Sequence, residues 1–323
     1  MPTVTTTAAA TENPDERRRR AADERRGLWL GVLGVAIFAF TLPMTRLAVG
    51  PAGDPQLPPL FVTAGRAALA GFFSIAWLAV TRAPRPRVQD LGGFAVCALG
   101  TVVGFPGFLA VALREVEAVH AAVITGVLPL ATAVAAAVWL RQRPSAGFWL
   151  CALAGCGLVL GFAAHAGGGR LVAADALLLG AVASAAVGYI AGAQLAGRMP
   201  AEQVICWVLV LSLPLTLPAT LAAWPAAPVR GSAWLGFGYV ALFSMWLGFF
   251  AWYRALALGG TLRVSQVQLL QPFLALLLAV PMLGERLEPQ TVLFSLAVLG
   301  VVLVGRRMPA RRQQAPAIPG AAT

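Results

Sequence analysis

The chain has 323 residues, of which 59% are hydrophobic and 11% are charged, and its formal net charge is +11. A soluble domain of this length cannot bury so much apolar surface, so the composition excludes an ordinary soluble protein and indicates one embedded in a membrane. The alternating polar and apolar pattern of a membrane β-barrel is absent, so we expect helices.

The predicted elements are apolar stretches separated by short polar breaks or by breaks rich in glycine and proline. Each stretch is long enough to cross a hydrocarbon layer of roughly 30 Å as a helix. We therefore predict an all-α polytopic membrane protein with ten transmembrane helices. The predicted spans are 28–48, 59–80, 91–112, 118–139, 145–165, 174–196, 203–224, 233–253, 264–283 and 289–306.

The distribution of charge predicts how these spans are oriented. All 24 basic residues are arginine. With the N-terminus in the cytoplasm, 18 of them fall on the cytoplasmic side, four fall outside, and Arg46 and Arg66 lie within spans. This asymmetry follows the positive-inside rule, so we expect both termini of this plasma- or inner-membrane protein to be cytoplasmic. The same asymmetry explains the positive charge without a nucleic-acid partner.

The chain also contains an internal repeat. A shift of 143 residues aligns, without a gap, Ala112-Leu113 with Ala255-Leu256, Pro129 with Pro272, Arg143 with Arg286 and Gly157 with Gly300. Each copy holds five spans, and an odd number of spans places the two copies in opposite orientations across the membrane. Such halves can exchange conformations, which favours transport by alternating access.

These features divide the chain into four predicted regions. We expect two inverted five-helix domains, over residues 27–166 and 167–307, with disordered cytoplasmic tails over residues 1–26 and 308–323. The tails are rich in Ala, Thr, Pro, Arg and Gln and have no apolar face to bury, which is typical of disorder.

Two segments have a distinctive pattern of proline, apolar run and charged stop. They are ALREVEAVHAAVITGVLPLATAVAAAVWLRQRP and ALALGGTLRVSQVQLLQPFLALLLAVPMLGERLEPQ. They resemble the fourth-span and ninth-span signatures of the EamA-like family in the drug/metabolite transporter superfamily. The resemblance covers about residues 28 to 306, and its most specific part is Pro272 followed by Gly284-Glu285-Arg286-Leu287.

The sequence departs from the family pattern at two places. Gln142 stands where the family has a glutamate, and Phe38-Ala39-Phe40-Thr41 replaces a tryptophan-glycine-serine-like element of the first span. The resemblance implies a transporter of small metabolites, amino acids or drugs, and we expect an exporter that is not an enzyme and needs no cofactor.

Arg66 is the first candidate for contact with a substrate. It lies about seven residues into the second span, and a buried guanidinium is costly unless it meets water, a partner or an anion. It either snorkels or caps backbone carbonyls, or it anchors a carboxylate or phosphate in a cavity. Arg46, about two residues from the end of its span, is expected to snorkel. Since acidic residues occur only in tails, loops and span ends, we expect a neutral, zwitterionic or anionic substrate rather than a cation.

Polar and aromatic side chains in four other spans complete the candidate site. Gln268 and Gln271 share a face of the ninth span with Ser265, and the repeat pairs Gln268 with Thr125. This face either lines a cavity or forms hydrogen bonds between helices. Two deeper aromatic residues, Tyr189 and Trp246, stack against a substrate or simply pack.

The ends of the fourth and ninth spans carry the last features of note. His120 is either an interfacial residue or a proton relay. We expect Gly284 to end the ninth helix in the left-handed conformation, with Glu285 and Arg286 facing headgroups or water.

The four cysteines fall inside predicted spans, where this residue usually packs as a small apolar group, and neither a disulfide nor a metal site is predicted. A polytopic membrane enzyme, or a receptor or scaffold without transport, remains the alternative function. The partners expected are a small-molecule substrate and the lipid bilayer, and a homodimer stays open.

Overall fold

The computed structural model describes residues 14–139, 143–166, 168–259, 267–307 and 310–311. Within these ranges the chain is helical apart from its links and two dipeptide strands, Arg143–Pro144 and Ala310–Arg311, which pair antiparallel. The ten predicted spans are confirmed. The described spans are α1 (Ala22–Val49), α2 (Pro59–Val80), α3 (Val88–Glu115), α4 (Ala118–Trp139), α5 (Ala146–Ala166), α6 (Ala173–Ala196), α7 (Ala201–Ala222), α8 (Gly231–Ala255), α9 (Gln268–Leu283) and α10 (Pro289–Gly305).

Eight of these helices are long and apolar enough to cross a membrane, and α9 and α10 are shorter. Residues 264–266, which the sequence assigned to the ninth span, lie outside the described residues. Glycine and proline set several of the helix ends. Gly50 and Gly284 end α1 and α9 with positive φ angles of 68° and 70°, a conformation that glycine adopts without steric cost. Pro59 begins α2, where the missing amide hydrogen removes no helical bond.

The N-terminal tail corrects one prediction. The first helix begins at Pro14, so residues 14–26 are helical and the expectation of disorder there is wrong. The segment is rich in arginine, glutamate and alanine, which are good helix formers. Because it continues into α1, no new helix has to be nucleated. The proposed boundaries of the two repeat domains stay a prediction.

Equivalent helices of the two repeats pack against each other and run antiparallel. In α2 and α7, Gly65 lies against Thr220 and Gly71 against Leu213, so one helix ascends as the other descends. The pairs α5–α10 and α4–α9 have the same relation. Two copies of one structure whose equivalent helices point in opposite directions are inverted relative to each other, as the five-span repeat predicts.

Two further pairs of helices, α1–α8 and α3–α6, also join the halves. The repeat relates α1 to α6 and α3 to α8, so each of these two pairs is the symmetry copy of the other. Their closest approach depends on glycine. A Cβ atom added at Gly100 of α3 would lie 2.5 Å from the Ser184 carbonyl oxygen and 2.6 Å from the Gly188 Cα atom. Backbone atoms at that distance cannot move aside cheaply, so the α3–α6 contact excludes any side chain at residue 100.

The even number of spans places the start of α1 and the end of α10 on one side, here called the terminal face. The opposite side, called the distal face, carries the α1–α2, α3–α4, α5–α6, α7–α8 and α9–α10 links.

We expect Gly100→Val to destabilise the protein strongly, because the added methyl groups would overlap backbone atoms of α6. Overpacking of this kind costs typically about 1–3 kcal/mol. The matched control is Gly157→Val, since an added Cβ there meets no atom within 4 Å. Thermal unfolding in detergent measures both variants, and equal midpoints would contradict the close α3–α6 packing.

Candidate functional site

A cavity lies at the centre of the helix bundle. It is enclosed by seven helices, namely α2 together with the repeat-related pairs α1 and α6, α3 and α8, and α4 and α9. Its wall is formed by Phe38, Thr41, Leu42, Arg66, Thr101, Phe105, Pro106, Thr125, Leu128, Pro129, Ala185, Tyr189, Ser244, Met245, Phe249, Gln268, Gln271, Pro272 and Ala275.

The cavity lies on the axis that relates the two halves. Six pairs of its lining residues are separated by 143 positions and therefore occupy equivalent places in the two repeats. The pairs are Leu42 and Ala185, Thr101 and Ser244, Pro106 and Phe249, Thr125 and Gln268, Leu128 and Gln271, and Pro129 and Pro272. A site on such an axis has the same position relative to both halves, which is where a substrate remains reachable as the halves rock.

Two stretches of π-helix bring hydroxyl groups to the cavity. Residues Ala98–Gly104 of α3 and Val240–Leu247 of α8 form the wider π-helical turn, and the two stretches are equivalent under the repeat to within one residue. Thr101 and Ser244 lie in these stretches. The wider turn is rare and is found mostly at functional sites. Sequence reasoning missed both residues, although the 143-residue repeat pairs them.

Arg66 reaches the cavity wall and does not snorkel. Its Nη2 donates a hydrogen bond to the Ser244 hydroxyl at 2.9 Å, and that hydroxyl lies 2.8 Å from Thr41 Oγ1. The side chain is only 3% exposed, and its Nε has no hydrogen-bond partner. A guanidinium buried with an unused donor retains the capacity to bind an acceptor group.

The charge at this position is present in one half alone. Under the repeat, Leu209 occupies the position of Arg66 in the second half, whereas the hydroxyls of Thr41 and Ser244 correspond to Ser184 and Thr101. The cavity is therefore close to symmetric in shape but asymmetric in charge.

The structure brings most of the other predicted residues to the same cavity. Gln268, Gln271, Thr125 and Tyr189 all line it. Thr125 Oγ1 donates to the Ala121 carbonyl at 2.7 Å, so its lone pairs remain for a ligand.

Trp246 is the predicted site residue that the cavity does not include. Its ring packs against Phe73 and Phe250, with centroid separations of 5.5 and 5.1 Å. Trp246 follows Met245 on α8, and consecutive side chains of a helix point in different directions around its axis, so Met245 faces the cavity while Trp246 packs toward α2. Ser265 lies outside the described residues.

The distal face corrects the interpretation of Glu285. Gly284 ends α9 in the left-handed conformation, as predicted. Glu285, however, is 8% exposed, and its two carboxylate oxygens accept the Ala118 and Val119 backbone N–H groups at 2.8 Å each. The expectation that it faces headgroups or water is wrong, because the unpaired amides and positive dipole at the start of α4 offer it better partners. Burial raises the pKa of the Glu285 carboxyl, and the two N–H donors oppose that rise.

Other contacts also join elements across the distal face. Arg46 donates to the Leu113 carbonyl, which replaces the snorkelling expected from the sequence, and Arg114 donates to the Leu57 carbonyl at 3.1 Å. Asp54 pairs with Arg230 of the α7–α8 link, which connects the two halves. Together with the contact of Glu285 with α4, these contacts join several of the helices and links on the distal side of the bundle.

An inverted pair of five-helix halves around a cavity on their common axis is an architecture typical of polytopic membrane transporters. The sequence matches the EamA-like transporter family twice, over residues 25–163 and 172–306, so that both repeats are covered. The chain belongs to the EamA-like transporter family, which confirms the resemblance found in the fourth and ninth spans. The family consists of transporters, and the enzymatic alternative is thereby excluded.

Two relatives span nearly the whole chain. The protein is 44% identical over 284 residues to a Bacillus subtilis (strain 168) protein named uncharacterized transporter YdeK, covering 86% of this chain and 96% of the relative. It is 29% identical over 299 residues to a probable terminal-alkyne amino-acid exporter of Streptantibioticus cattleyicolor, covering 90% of this chain and 97% of the relative. A solved crystal structure with 19% sequence identity has the same fold, with a TM-score of 0.59 over 87% of this chain and 98% of that one.

We expect Glu285→Gln to lower the thermal stability, because a neutral amide has one acceptor oxygen for two backbone donors and carries no charge for the helix dipole. Leaving a buried donor unsatisfied costs about 1–3 kcal/mol. Glu288→Gln, in the same link but exposed, is the matched control. Unfolding midpoints in detergent measure the effect, and a Glu285 variant as stable as the control would contradict the role of this contact.

Proposed function

We propose that this protein exports a small neutral amino acid, or a closely related zwitterionic metabolite, by alternating access. Arg66 would hold the carboxylate of the substrate at the centre of the bundle. The observation that carries the proposal is the buried guanidinium of Arg66, which lines the cavity and has a donor left unused.

The need for an anion follows from the surroundings of Arg66. Its hydrogen-bond partner is the neutral Ser244 hydroxyl, and the salt bridges of the described residues do not include Arg66. An arginine buried at membrane depth is stabilised by an acceptor of opposite charge, and a carboxylate can take two parallel hydrogen bonds from its fork of donors. A carboxylate brought by the substrate meets this need.

The remaining wall favours an apolar body with a small polar head. Phe38, Leu42, Phe105, Met245 and Phe249 supply apolar surface for a side chain. The amide oxygens of Gln268 and Gln271 and the Thr125 hydroxyl are neutral acceptors that suit an ammonium group. Tyr189 would close one side of the site. A wall with one arginine and several neutral acceptors suits a zwitterion better than a cation.

The relatives support the same substrate class. The name of the Streptantibioticus cattleyicolor protein gives it amino acids with a terminal alkyne as substrates. Such a compound has a free carboxylate, an amine and a short apolar side chain, which match the three kinds of surface in this cavity.

The inverted halves support alternating access. In this structure Glu285 contacts the start of α4 and Asp54 pairs with Arg230, and these contacts between the halves support a state that is closed at the distal face. The arginine distribution supports an extracellular position for the distal face. We propose that the substrate enters from the cytoplasm in the state described and leaves once the distal contacts separate. The homodimer considered from the sequence stays a prediction.

Counterflow in proteoliposomes tests the transport proposal. Vesicles loaded with unlabelled L-leucine, L-methionine or propargylglycine should accumulate the labelled compound transiently from a dilute external solution, since only a carrier exchanges substrate in this way. The matched experiment uses an organic cation such as tetraphenylphosphonium. Exchange of the cation with no exchange of the three amino acids would overturn the assigned substrate class.

We expect Arg66→Ala to abolish counterflow, and Arg66→Lys to recover only part of it, because lysine keeps the charge but loses the two-pronged geometry. Loss of a charge-assisted hydrogen bond of about 1.5–3 kcal/mol corresponds to roughly ten- to hundred-fold weaker binding. Arg85→Ala, which removes an exposed arginine of the α2–α3 link, is the control for loss of charge and should keep transport. Normal counterflow by a well-folded Arg66→Ala protein would contradict the anchor.

The proposed orientation has its own test. Reporter fusions at both termini should be active only with a cytoplasmic reporter such as green fluorescent protein, because the terminal face carries most of the arginines. Alkaline phosphatase fused to the α7–α8 link should be active outside. A periplasmic or extracellular signal from either terminus would reverse the assignment of the two faces.

A further inference from the structure

His120 and Asp175 form a polar pair that joins the two halves at the distal face. His120 lies near the start of α4 in the first half, and its Nε2 donates to Asp175 Oδ1 at 2.7 Å. Asp175 lies near the start of α6 in the second half and is 1% exposed. Its other oxygen accepts the Val172 N–H at 2.9 Å, which fixes the carboxylate at the helix start. The pair is thus a second bridge from α4 to the opposite half, beside the contact with Glu285.

We infer that His120 and Asp175 are a proton-binding site, and that a proton bound there stabilises the state that is closed at the distal face. The protonated imidazole makes an ion pair with Asp175, whereas the neutral imidazole donates a hydrogen bond to Asp175 without carrying a charge. Histidine is the side chain whose charge changes near physiological pH. When the distal face opens, the halves separate and this ion pair is lost. The inference rests on the alternating access proposed above.

Charged groups of several elements lie around His120. The pocket beside it also contains Glu117 of the α3–α4 link, Arg286 and Glu288 of the α9–α10 link, and His165 of α5. Glu285 lies at the start of α4, and Arg46 of α1 interacts with Glu285 and Glu117. Four carboxylates, those of Asp175, Glu117, Glu285 and Glu288, therefore face two guanidinium groups around this histidine.

The position of His120 also suits a proton site that responds to the distal side. Its side chain is 14% exposed, so a proton can reach it from the pocket. Its ring lies against Phe162 of α5, with a centroid separation of 5.1 Å, which holds the imidazole in line with Asp175. The ring is therefore both accessible and oriented, and the bond that it makes depends on the position of the halves.

The chain supplies a matched control for this site. The sequence has two histidines. His165 lies in the same pocket, but its ring contacts Gln290 of α10 instead of a carboxylate. Protonation of His165 therefore makes no ion pair between α4 and α6, and His165→Gln should leave the pH response unchanged.

The test measures the distal opening directly by pulsed electron paramagnetic resonance in lipid nanodiscs. Spin labels are placed at Glu115 and Leu171, two exposed positions of opposite halves, after the four native cysteines have been replaced by alanine or serine. In the otherwise unchanged protein, the ratio of short to long distances should rise at least about five-fold between pH 8 and pH 5.5, the lower range of coupling between sites. This distance is measured without any substrate. A negative result for the proton-binding site is therefore distinguishable from a negative result for the transport proposal.

Four variants decide the assignment, each checked first for normal thermal unfolding. His120→Gln and Asp175→Asn should remove the pH response, because neither can form the ion pair. His120→Lys keeps a cation at all these pH values and should favour the short distance at both. The inference is overturned if the unchanged protein shows no pH response, or if His165→Gln removes the response while His120→Gln keeps it. Asp175→Asn and His120→Lys keep the test decisive if His120→Gln does not fold.

Discussion

Two equivalent helices that touch across an axis in the membrane plane must run antiparallel, and the architecture of this protein depends on that constraint. Because α2 meets α7, α4 meets α9 and α5 meets α10 in this way, each half covers the apolar surface of the other. The pairs α1–α8 and α3–α6 follow from the same symmetry. The cavity lies where the repeat-related helices converge, so its position is a consequence of the inversion.

Charged groups break this symmetry and give the two faces and the cavity their separate properties. Arg66 has Leu209 as its repeat equivalent, so a single guanidinium marks one side of the cavity. At the helix ends, Glu285 has Gln142 as its equivalent. Glu285 binds two amides at the start of α4, whereas a glutamine at residue 142 has no charge to offer a helix dipole. The contacts available at the two faces therefore differ, although the two halves have the same fold. As a result, the state with one face closed can be more stable than the state with the other face closed.

The distal face concentrates polar contacts that a transporter has to break. Glu285, Asp175 and Asp54 each accept hydrogen bonds from another element, and all three bonds cross between the halves. Hydrogen bonds to charged groups are worth about 1.5–3 kcal/mol each, and differences of that size are within the range in which a ligand or a proton can shift the balance of two states. Stronger contacts between the halves would hold the protein in one conformational state.

Much of the fold could be predicted from the sequence, because insertion of a helix into a membrane depends on the length and hydropathy of a single segment. Length and hydropathy predicted ten helices, and the 143-residue repeat predicted the inversion. The lining of the cavity was predicted in part. Arg66, Thr125, Gln268, Gln271 and Tyr189 line the cavity, since polar groups at membrane depth have few other places to go.

The missed features depend on neighbours that are distant in the chain. Hydropathy indicated that Trp246 was deep, but the direction of its ring depends on Phe73 of α2. Disorder of residues 14–26 was inferred from composition, although continuity with α1 makes them helical. The hydrogen-bond partners of Arg66 and of Asp175 lie 178 and 55 residues away along the chain, so no local sequence pattern predicts them.

The sequence by itself therefore determined the number of helices, their inverted duplication and the residues too polar for lipid, because hydrophobic length and repeat spacing are properties of the chain alone. Only the tertiary structure decided which polar groups meet. Glu285 was assigned to the surface because it follows a helix end, where charged residues usually find water. It is buried instead because the fold brings the unpaired amides of Ala118 and Val119 to that place, and a carboxylate gains more from two aligned donors than from the interface.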